Sequence, residues 1–242
     1  METNKLRNGL LLIVIFFSIS MSAFEVDGIE YSITSETDFT VEVSHLYRVE
    51  SNDVIIPERI TYNNKYYYVT SIGDGAFQKC SSLTSVTIPK SVTSIGSSAF
   101  SGCSSLTSIT IPDGVTNIGT EAFAYCEELI SITIPKSVTI IGLGAFSYCR
   151  SLTSITIPDG VTSIGKDAFA GCTSLKSIAI PNSVTNIDYG AFAECSSLIS
   201  ISIPEGMRII SDFTFSGCKG LSSITIPNSV TTIGQSAFEG CI

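Results

Sequence analysis

The eight cysteines are the side chains of this sequence with the widest chemical repertoire, and their spacing is regular. A thiol can act as a nucleophile, a metal ligand or half of a disulfide bond, and each role requires particular neighbours. Here an interval of 23 residues separates each cysteine from the next: Cys80, Cys103, Cys126, Cys149, Cys172, Cys195, Cys218 and Cys241. An invariant interval places every cysteine at the same position of a repeating unit.

The chemical state of these cysteines depends on how the units stack. Eight cysteines in an extracellular protein would ordinarily suggest disulfide bonds, and stacked strands bring Cα atoms to about 4.8 Å, which permits bridging. A strict column, however, points the side chains in parallel. We therefore predict free thiols that serve as small core residues. Pairwise bridges between adjacent units are the alternative, and without C-x-x-C pairs a metal site is disfavoured.

Other reactive groups give little support for catalysis. The single histidine, His45, lies outside the repeats, whereas a Ser-His-Asp or Cys-His arrangement needs a histidine beside its nucleophile. Adjacent carboxylates such as Glu127 and Glu128 have the pattern of a solvated turn. The glycines follow the repeat and form no phosphate-binding motif. We therefore expect no enzymatic activity and no cofactor.

The cysteines are positioned by a repeated unit. Its sequence is L-T-S-I-T-I-P-x-S/G-V-T-x-I-G-x-x-A-F-x-x-C-x-x. In one copy, Val86 and Ile88 alternate with polar residues, which predicts a short strand with one buried face. Pro89 ends this strand because proline lacks the N–H that a ladder needs. Each unit is thus predicted to begin with a β-strand.

The second half of the unit contains two further structural signals. Val92 and Ile95 form another extended segment. Ala99, Phe100 and Cys103 have the three- and four-residue spacing that is typical of a single helical or 3-10 turn with one buried side. One unit cannot bury these side chains, but stacked units can. The sequence therefore predicts a mostly β repeat solenoid with columns of identical core residues.

The pattern L-x-x-I-x-I-P-x-x-V-x-x-I-x-x-x-A-F-x-x-C closely resembles the BspA-type leucine-rich repeat. The resemblance covers residues 69–242 and extends more weakly from residue 53. It implies a leucine-rich-repeat solenoid. It also implies a secreted or surface-attached module that adheres to host or bacterial macromolecules, whereas spacing and composition alone imply only a solenoid.

The start of the chain has the order of a secretory signal peptide over residues 1–22. Lys5 and Arg7 precede an apolar run over residues 10–19, and small residues follow. The run is shorter than the roughly 20 residues that span a bilayer. We predict cleavage and a secreted or cell-surface location without a membrane span in the mature chain. An uncleaved anchor is the alternative.

The remaining chain is predicted to have two parts. Residues 23–68 form an N-terminal β cap with a divergent first repeat, in which residues 24–33 and 39–47 make a β-hairpin. Residues 69–242 form a solenoid of about seven to eight coils. No capping segment follows Cys241, which suggests an open end that stacks on another chain, or a fragment of a larger surface protein.

The outward positions of the predicted strands carry hydroxyl groups in almost every copy. Such a lattice suits recognition of a protein or glycan, although Ser and Thr also suit exposed strands that bind nothing. The candidate ligand-binding residues on this face are Ser85, Thr87, Ser108, Thr110, Ser131, Thr133, Ser154, Thr156, Ser177, Ser200, Ser202, Ser223 and Thr225.

The segments that flank the strands vary more between copies and supply a second candidate surface. Tyr125 and Tyr148 lie one period apart, so stacking predicts that their rings are neighbours, and Arg150 follows closely. We predict that these three residues form a ligand-binding aromatic patch. The second residue after each proline from Pro89 to Pro227 is also regular. It alternates between Ser and Gly, which gives a superperiod of 46 residues.

The net charge of the chain restricts the kinds of molecule that it can bind. The formal net charge is −9, and no basic cluster is present. An acidic chain repels phosphate backbones, so we expect no nucleic-acid partner. We predict a binding or adhesion module for an extracellular protein or glycan. The alternative is a structural or assembly role, with end-to-end self-association.

Overall fold

The computed structural model describes residues 23–46 and 52–241, so the predicted signal peptide over residues 1–22 lies outside the described residues. Six strands precede the regular repeats: β1 (Ala23–Val26), β2 (Ile29–Ser35), β3 (Thr40–His45), β4 (Asp53–Ile55), β5 (Arg59–Tyr62) and β6 (Lys65–Ile72). Within the described ranges no helix is long and apolar enough to cross a membrane.

Each of the seven regular coils then contributes two short strands. These are β7 (Ser85–Thr87), β8 (Ser94–Ile95), β9 (Ser108–Thr110), β10 (Asn117–Ile118), β11 (Ser131–Thr133), β12 (Ile140–Ile141), β13 (Ser154–Thr156), β14 (Ser163–Ile164), β15 (Ser177–Ile178), β16 (Asn186–Ile187), β17 (Ser200–Ser202), β18 (Ile209–Ile210), β19 (Ser223–Thr225) and β20 (Thr232–Ile233). The odd-numbered strands follow the leucine of each unit, and the even-numbered strands form its second extended segment.

The coils stack as parallel ladders in the register that the repeat length predicts. Ser131 of β11 pairs with Ser154 of β13, exactly one period later in the chain. The odd-numbered strands form one ladder, to which β4 adds the first strand. From β4 to β13 this ladder is one five-stranded sheet. A bridge between Thr156 and Ala179 connects it to the sheet of β15, β17 and β19. The predicted β-solenoid is therefore present, and its odd-numbered strands share one face.

The core consists of columns of identical side chains, as the repeat predicts. The phenylalanine rings from Phe77 to Phe238 stack with centroids 5.0–5.7 Å apart and planes within 13° of parallel. The leucines that open the units, from Leu83 to Leu221, are buried, and so are the isoleucines of the core columns in every coil but the last. Each coil thus contributes one layer to a continuous apolar core.

The Ala-Phe-x-x-Cys segment does not form the helical turn that its spacing suggests, and the described residues contain no helix. It is a series of turns in which Cys103 N donates to Phe100 O at 3.1 Å. Phe100 N instead donates to Ala122 O of the next coil at 2.8 Å. Because Ser98, Phe100 and Gly102 donate their N–H groups to the next coil, these groups are not available for a helix. The predicted inward orientation is correct, since Ala99, Phe100 and Cys103 are fully buried.

A hairpin accounts for the irregular length of the first unit. Asp53 of β4 pairs with Ser85 of β7, although 32 residues separate them. The additional residues form the antiparallel hairpin of β5 and β6, whose turn residues Asn63 and Asn64 both have positive φ. β6 then continues as the first strand of the even-numbered ladder. The predicted division between residues 68 and 69 therefore falls inside a strand, because one strand serves both parts.

Residues 23–46 contain three strands in place of the single predicted hairpin. The segment predicted as one strand over residues 24–33 is divided by a turn at Asp27 and Gly28, both with positive φ. β1, β2 and β3 are consecutive antiparallel neighbours. β3 then pairs in parallel with β6. The N-terminal strands therefore extend the same sheet that carries β8 and β10.

Candidate binding surfaces

The odd-numbered ladder presents the predicted hydroxyl lattice to solvent. In each of its strands the central valine or isoleucine points into the core, while the flanking positions point outward. Ser108, Ser131 and Ser154 lie in register on adjacent strands. All thirteen predicted strand-face residues are exposed except Ser85, which is partly buried. We call this set of thirteen residues the strand face.

The N-terminal edge of the strand face includes a carboxylate. Ser85 Oγ and Thr84 Oγ1 donate to Asp53 Oδ1 at 2.7 and 2.9 Å. The hydrogen bonds from Ser85 and then Thr84 favour the charged form and lower the pKa of Asp53. β4 thus gives one end of an otherwise neutral surface a negative charge.

The cysteine column lies inside the solenoid, away from both predicted surfaces. All eight cysteines are free, and the six from Cys103 to Cys218 are fully buried. Each thiol from Cys103 onward donates to the carbonyl of the phenylalanine 26 residues earlier, for example Cys149 Sγ to Phe123 O at 3.2 Å. Burial raises the pKa of Cys126 to about 12, so its thiolate is disfavoured. This geometry suits a small core residue.

Two further columns have a backbone conformation that L-amino acids seldom adopt. All sixteen of their residues have φ between 51° and 76°. The first column comprises Gly75, Ser98, Glu121, Gly144, Asp167, Gly190, Phe213 and Ser236, and the second comprises Lys79, Gly102, Tyr125, Tyr148, Gly171, Glu194, Gly217 and Gly240. Glycine adopts this conformation without strain, whereas other residues lose about 1–2 kcal/mol each. We call these two sets the left-handed columns.

The predicted tyrosine pair lies in the second left-handed column. The rings of Tyr125 and Tyr148 stack with centroids 5.0 Å apart and planes within 5° of parallel. Tyr148 leans over the next coil, where a methyl group at Gly171 would lie only 2.6 Å from its Cδ1 atom. Arg150 Cζ lies 5.4 Å from the Tyr148 ring centroid, and its Nε lies 3.5 Å from Glu127 Oε1. The three residues predicted as a patch are therefore neighbours.

A groove of about 340 Å³ lies beside this pair. Its walls include residues that sequence analysis did not single out, namely Leu143, Glu121, Asp167 and Glu194. Small residues complete the lining: Ala124, Gly144, Ser147, Ala170 and Ala193. We call this site, together with the two tyrosines, the flank groove. A usable signal existed in the sequence, because at two fixed positions of the repeat some copies carry large residues where other copies carry glycine.

A second aromatic pair lies on the adjacent coils. Tyr189 and Phe213 have ring centroids 5.2 Å apart. Lys166 Nζ lies 5.0 Å from the Tyr189 ring centroid and 4.0 Å from Asp167 Oδ2. Burial raises the pKa of Asp167, an effect that Lys166 opposes and Asp188 reinforces. Asp167 and Phe213 of the first left-handed column thus lie next to Lys166 and Tyr189, so rings and charged groups are neighbours over several coils.

Comparison with known proteins decides the family. The model of the BspA type leucine-rich repeat region matches residues 52–158 and 139–242, in six copies. This chain belongs to the BspA-type leucine-rich repeat family. The resemblance found in the sequence is thereby confirmed. A search of curated proteins gave no match.

Solved structures of other leucine-rich repeat proteins are similar to this BspA-type chain. The Treponema pallidum protein TpLRR is 30% identical, with 91% of this chain and 89% of that chain covered and a TM-score of 0.60. The pneumococcal vaccine antigen PcpA is 20% identical, covers 91% and 80% of the two chains, and has a TM-score of 0.60. At that identity, PcpA supports the fold alone. A leucine-rich cell surface protein of Faecalibacterium prausnitzii is 26% identical over 91% and 86%, with a TM-score of 0.47.

Proposed function

We propose that this protein is a secreted or cell-surface module that binds an extracellular protein or glycan and does not catalyse a reaction. The observation that carries the proposal is the strand face, where hydroxyl side chains lie exposed and in register on consecutive coils. Membership in the BspA-type family and the signal-peptide pattern of residues 1–22 support an extracellular role. Each hydroxyl offers a donor and two acceptor sites to a ligand.

The strand face is suited to weak contacts that repeat. It lacks the Trp, Tyr and Arg side chains that dominate tight interfaces. A single hydroxyl contributes a hydrogen bond with a net value of about 0.5–1.5 kcal/mol. Contacts on several coils act together once the first has formed, because the others are then held at high effective concentration. We therefore infer a ligand that is itself extended or repetitive.

The test compares two variants of equal charge. In the first, Ser108, Ser131, Ser154 and Ser177 of the strand face are replaced by lysine. In the second, the exposed residues Thr116, Thr139, Thr162 and Thr185 beside the even-numbered strands are replaced by lysine. Binding of the purified chain to host and bacterial surface extracts is measured by titration. We expect saturable binding that the first variant weakens at least tenfold and the second leaves within twofold.

Either of two results would contradict the proposal. Non-saturable binding of the wild-type chain would remove the evidence for a defined site. Equal binding by wild type and strand-face variant would place the site elsewhere on the molecule. Thermal unfolding of both variants identifies any loss that is due to misfolding.

An assembly role is the second candidate, and the final coil favours it. Ile226 and Ile233 occupy core columns, yet they are 39% and 53% exposed. The equivalent residues of the preceding coil, Ile203 and Ile210, are buried. A further layer, either a continuation of the array or another copy of the chain, would cover this apolar surface. Light scattering across concentrations tests the idea: we expect mass to increase with concentration, and a constant monomer mass would oppose it.

A further inference from the structure

The flank groove differs in chemical character from the strand face. It presents the rings of Tyr125 and Tyr148 together with the carboxylates of Glu121, Asp167 and Glu194. No Lys, Arg or His occurs among the described residues that line it. The groove is therefore aromatic and negatively charged, whereas most of the strand face is neutral.

The side chains that create this character are not required by the backbone. All five occupy the left-handed columns, where other coils carry glycine, such as Gly102 and Gly190. Glycine adopts the conformation more easily, so the backbone conformation does not require a large residue at these positions. Residues in strained backbone conformations commonly occur at ligand-binding and active sites. Five such residues around one groove point to a ligand.

The chain already contains examples of the contacts that this groove offers. The Arg150 guanidinium lies over the Tyr148 ring and beside the Glu127 carboxylate. At the other side, Lys166 lies over the Tyr189 ring, close to Asp167. A ring next to a carboxylate is an arrangement that attracts cations through both the ring quadrupole and the charge. Two cationic side chains of this chain thus occupy the edges of the surface.

We propose that the flank groove binds a lysine- or arginine-bearing segment of an extracellular protein. The cationic side chain contacts the tyrosine pair, and its charge is balanced by Glu121, Asp167 and Glu194. The net charge of −9 favours the approach of such a partner. A neutral glycan can stack on the rings and donate hydrogen bonds to the carboxylates, but it has no positive charge to balance theirs. This site adds a second surface to the proposed binding function.

The probe is a fluorescein-labelled peptide that alternates glycine with lysine and arginine. A matched peptide with glutamate at the cationic positions and a labelled neutral hexasaccharide serve as comparisons. Fluorescence anisotropy with the purified chain is measured at low and high salt. We expect the basic peptide to bind and to lose affinity as salt rises, because screening weakens contacts between exposed charges. Equal binding of the acidic peptide, or preferential binding of the hexasaccharide, would overturn the proposal.

The decisive variant combines Tyr148→Gly with Asp167→Gly. Both substitutions introduce the residue that neighbouring coils already carry at the same position, so the backbone is preserved. We expect affinity for the basic peptide to fall at least tenfold. Ser98→Gly with Ser236→Gly is the matched control, since both residues lie in the first left-handed column but outside the groove, and it should leave affinity unchanged.

Two further outcomes decide the question. Affinity of the groove variant within twofold of wild type, or an equal loss in the control, would contradict the proposal. If the double variant melts early, Tyr148→Asn with Asp167→Asn replaces it, because asparagine tolerates positive φ. Failure here leaves the strand-face experiment unaffected, since that experiment uses other variants and other ligands.

Discussion

At the scale of single residues, the cysteines show how a repeated position acquires one structural role. Each buried thiol fills a small space and donates to the carbonyl of the phenylalanine one coil earlier. Alanine at this position would fill the space but would donate no hydrogen bond to that carbonyl. The spacing predicted the column and its burial. It could not predict the hydrogen bond, which depends on where the turn places the phenylalanine carbonyl.

The free state of the thiols can be counted chemically. We expect iodoacetamide to modify all eight cysteines of the chain under denaturing, non-reducing conditions. In the folded protein only Cys80 and Cys241 should react, and slowly, since they alone among the eight are partly exposed. Mass spectrometry gives the number directly. Fewer than eight modified residues after denaturation would show that bridges form.

Burial of the thiols also predicts a loss of stability in alkali. The pKa of Cys126 rises from 9.0 to about 12 on folding. A group with a raised pKa stabilises the folded state fully below pH 9, and this contribution is lost as the pH rises toward 12. At pH 10 the loss is on the order of 1 kcal/mol for such a thiol.

Denaturant unfolding at pH 7, 9 and 10 measures this effect. Cys126→Ala should be less stable than wild type at pH 7 but should lose less stability between pH 7 and pH 10. Parallel losses in the two proteins would show that Cys126 does not contribute. Tyr31, whose pKa is also raised by burial, acts in the same direction in both proteins and therefore cancels.

At the scale of elements, the sequence predicted strands well and turns poorly. Alternation of Ser and Thr with isoleucine defined the odd-numbered strands. The Ala-Phe-x-x-Cys turn was expected to be helical because its spacing fits, but hydrogen bonds to the next coil override that local preference. The β5–β6 hairpin was missed although Asn63 and Asn64 form a typical turn signal. The hairpin was missed because it lies between β4 and β7, inside a repeat whose other copies have no hairpin.

The serines of the 46-residue superperiod have a structural role at this scale. In three of the four coils that carry serine, the hydroxyl donates to the carbonyl of the valine 22 residues earlier: Ser91 to Val69, Ser137 to Val115, and Ser183 to Val161. The hydroxyl of Ser229, in the fourth coil, has no hydrogen-bond partner among the described residues. Each of the three bonded serines therefore links its coil to the coil before it.

The left-handed columns predict an unusual response to glycine. Ser98 has a φ of 53°, so Ser98→Gly should raise the free energy of unfolding by up to about 1 kcal/mol. Ser97 next to it has no positive φ. Ser97→Gly should therefore lower the free energy of unfolding by about 0.5–1 kcal/mol. Urea titration of both variants gives the two values, and a loss of stability in Ser98→Gly would contradict the assigned backbone conformation.

At the scale of the whole molecule, stability comes from contacts between neighbouring coils. A repeat with two neighbours therefore contributes more than a repeat with one. Phe169 stacks between Phe146 and Phe192, whereas Phe238 stacks on Phe215 alone among the described residues. Family membership and the solenoid followed from the sequence because every layer repeats the same pattern. The flank groove did not, since it depends on residues that depart from that pattern.

This difference between coils is measurable. Phe169→Ala should lower the free energy of unfolding by about 3–5 kcal/mol, the range for a buried phenylalanine. Phe238→Ala should cost clearly less, because its ring is partly exposed and has one stacked neighbour. Circular dichroism during urea unfolding provides both values. Equal losses would indicate that the coils do not depend on their neighbours in this way.

The central claim is that ligands bind along the strand face through repeated weak contacts. It is tested most directly by the dissociation constant of a bound ligand as lysine is introduced at one, two, three and four coils in turn, at Ser108, Ser131, Ser154 and Ser177. The account predicts a stepwise rise in the dissociation constant with each substituted coil. A constant value, or a complete loss from one coil with no effect from the others, would contradict it.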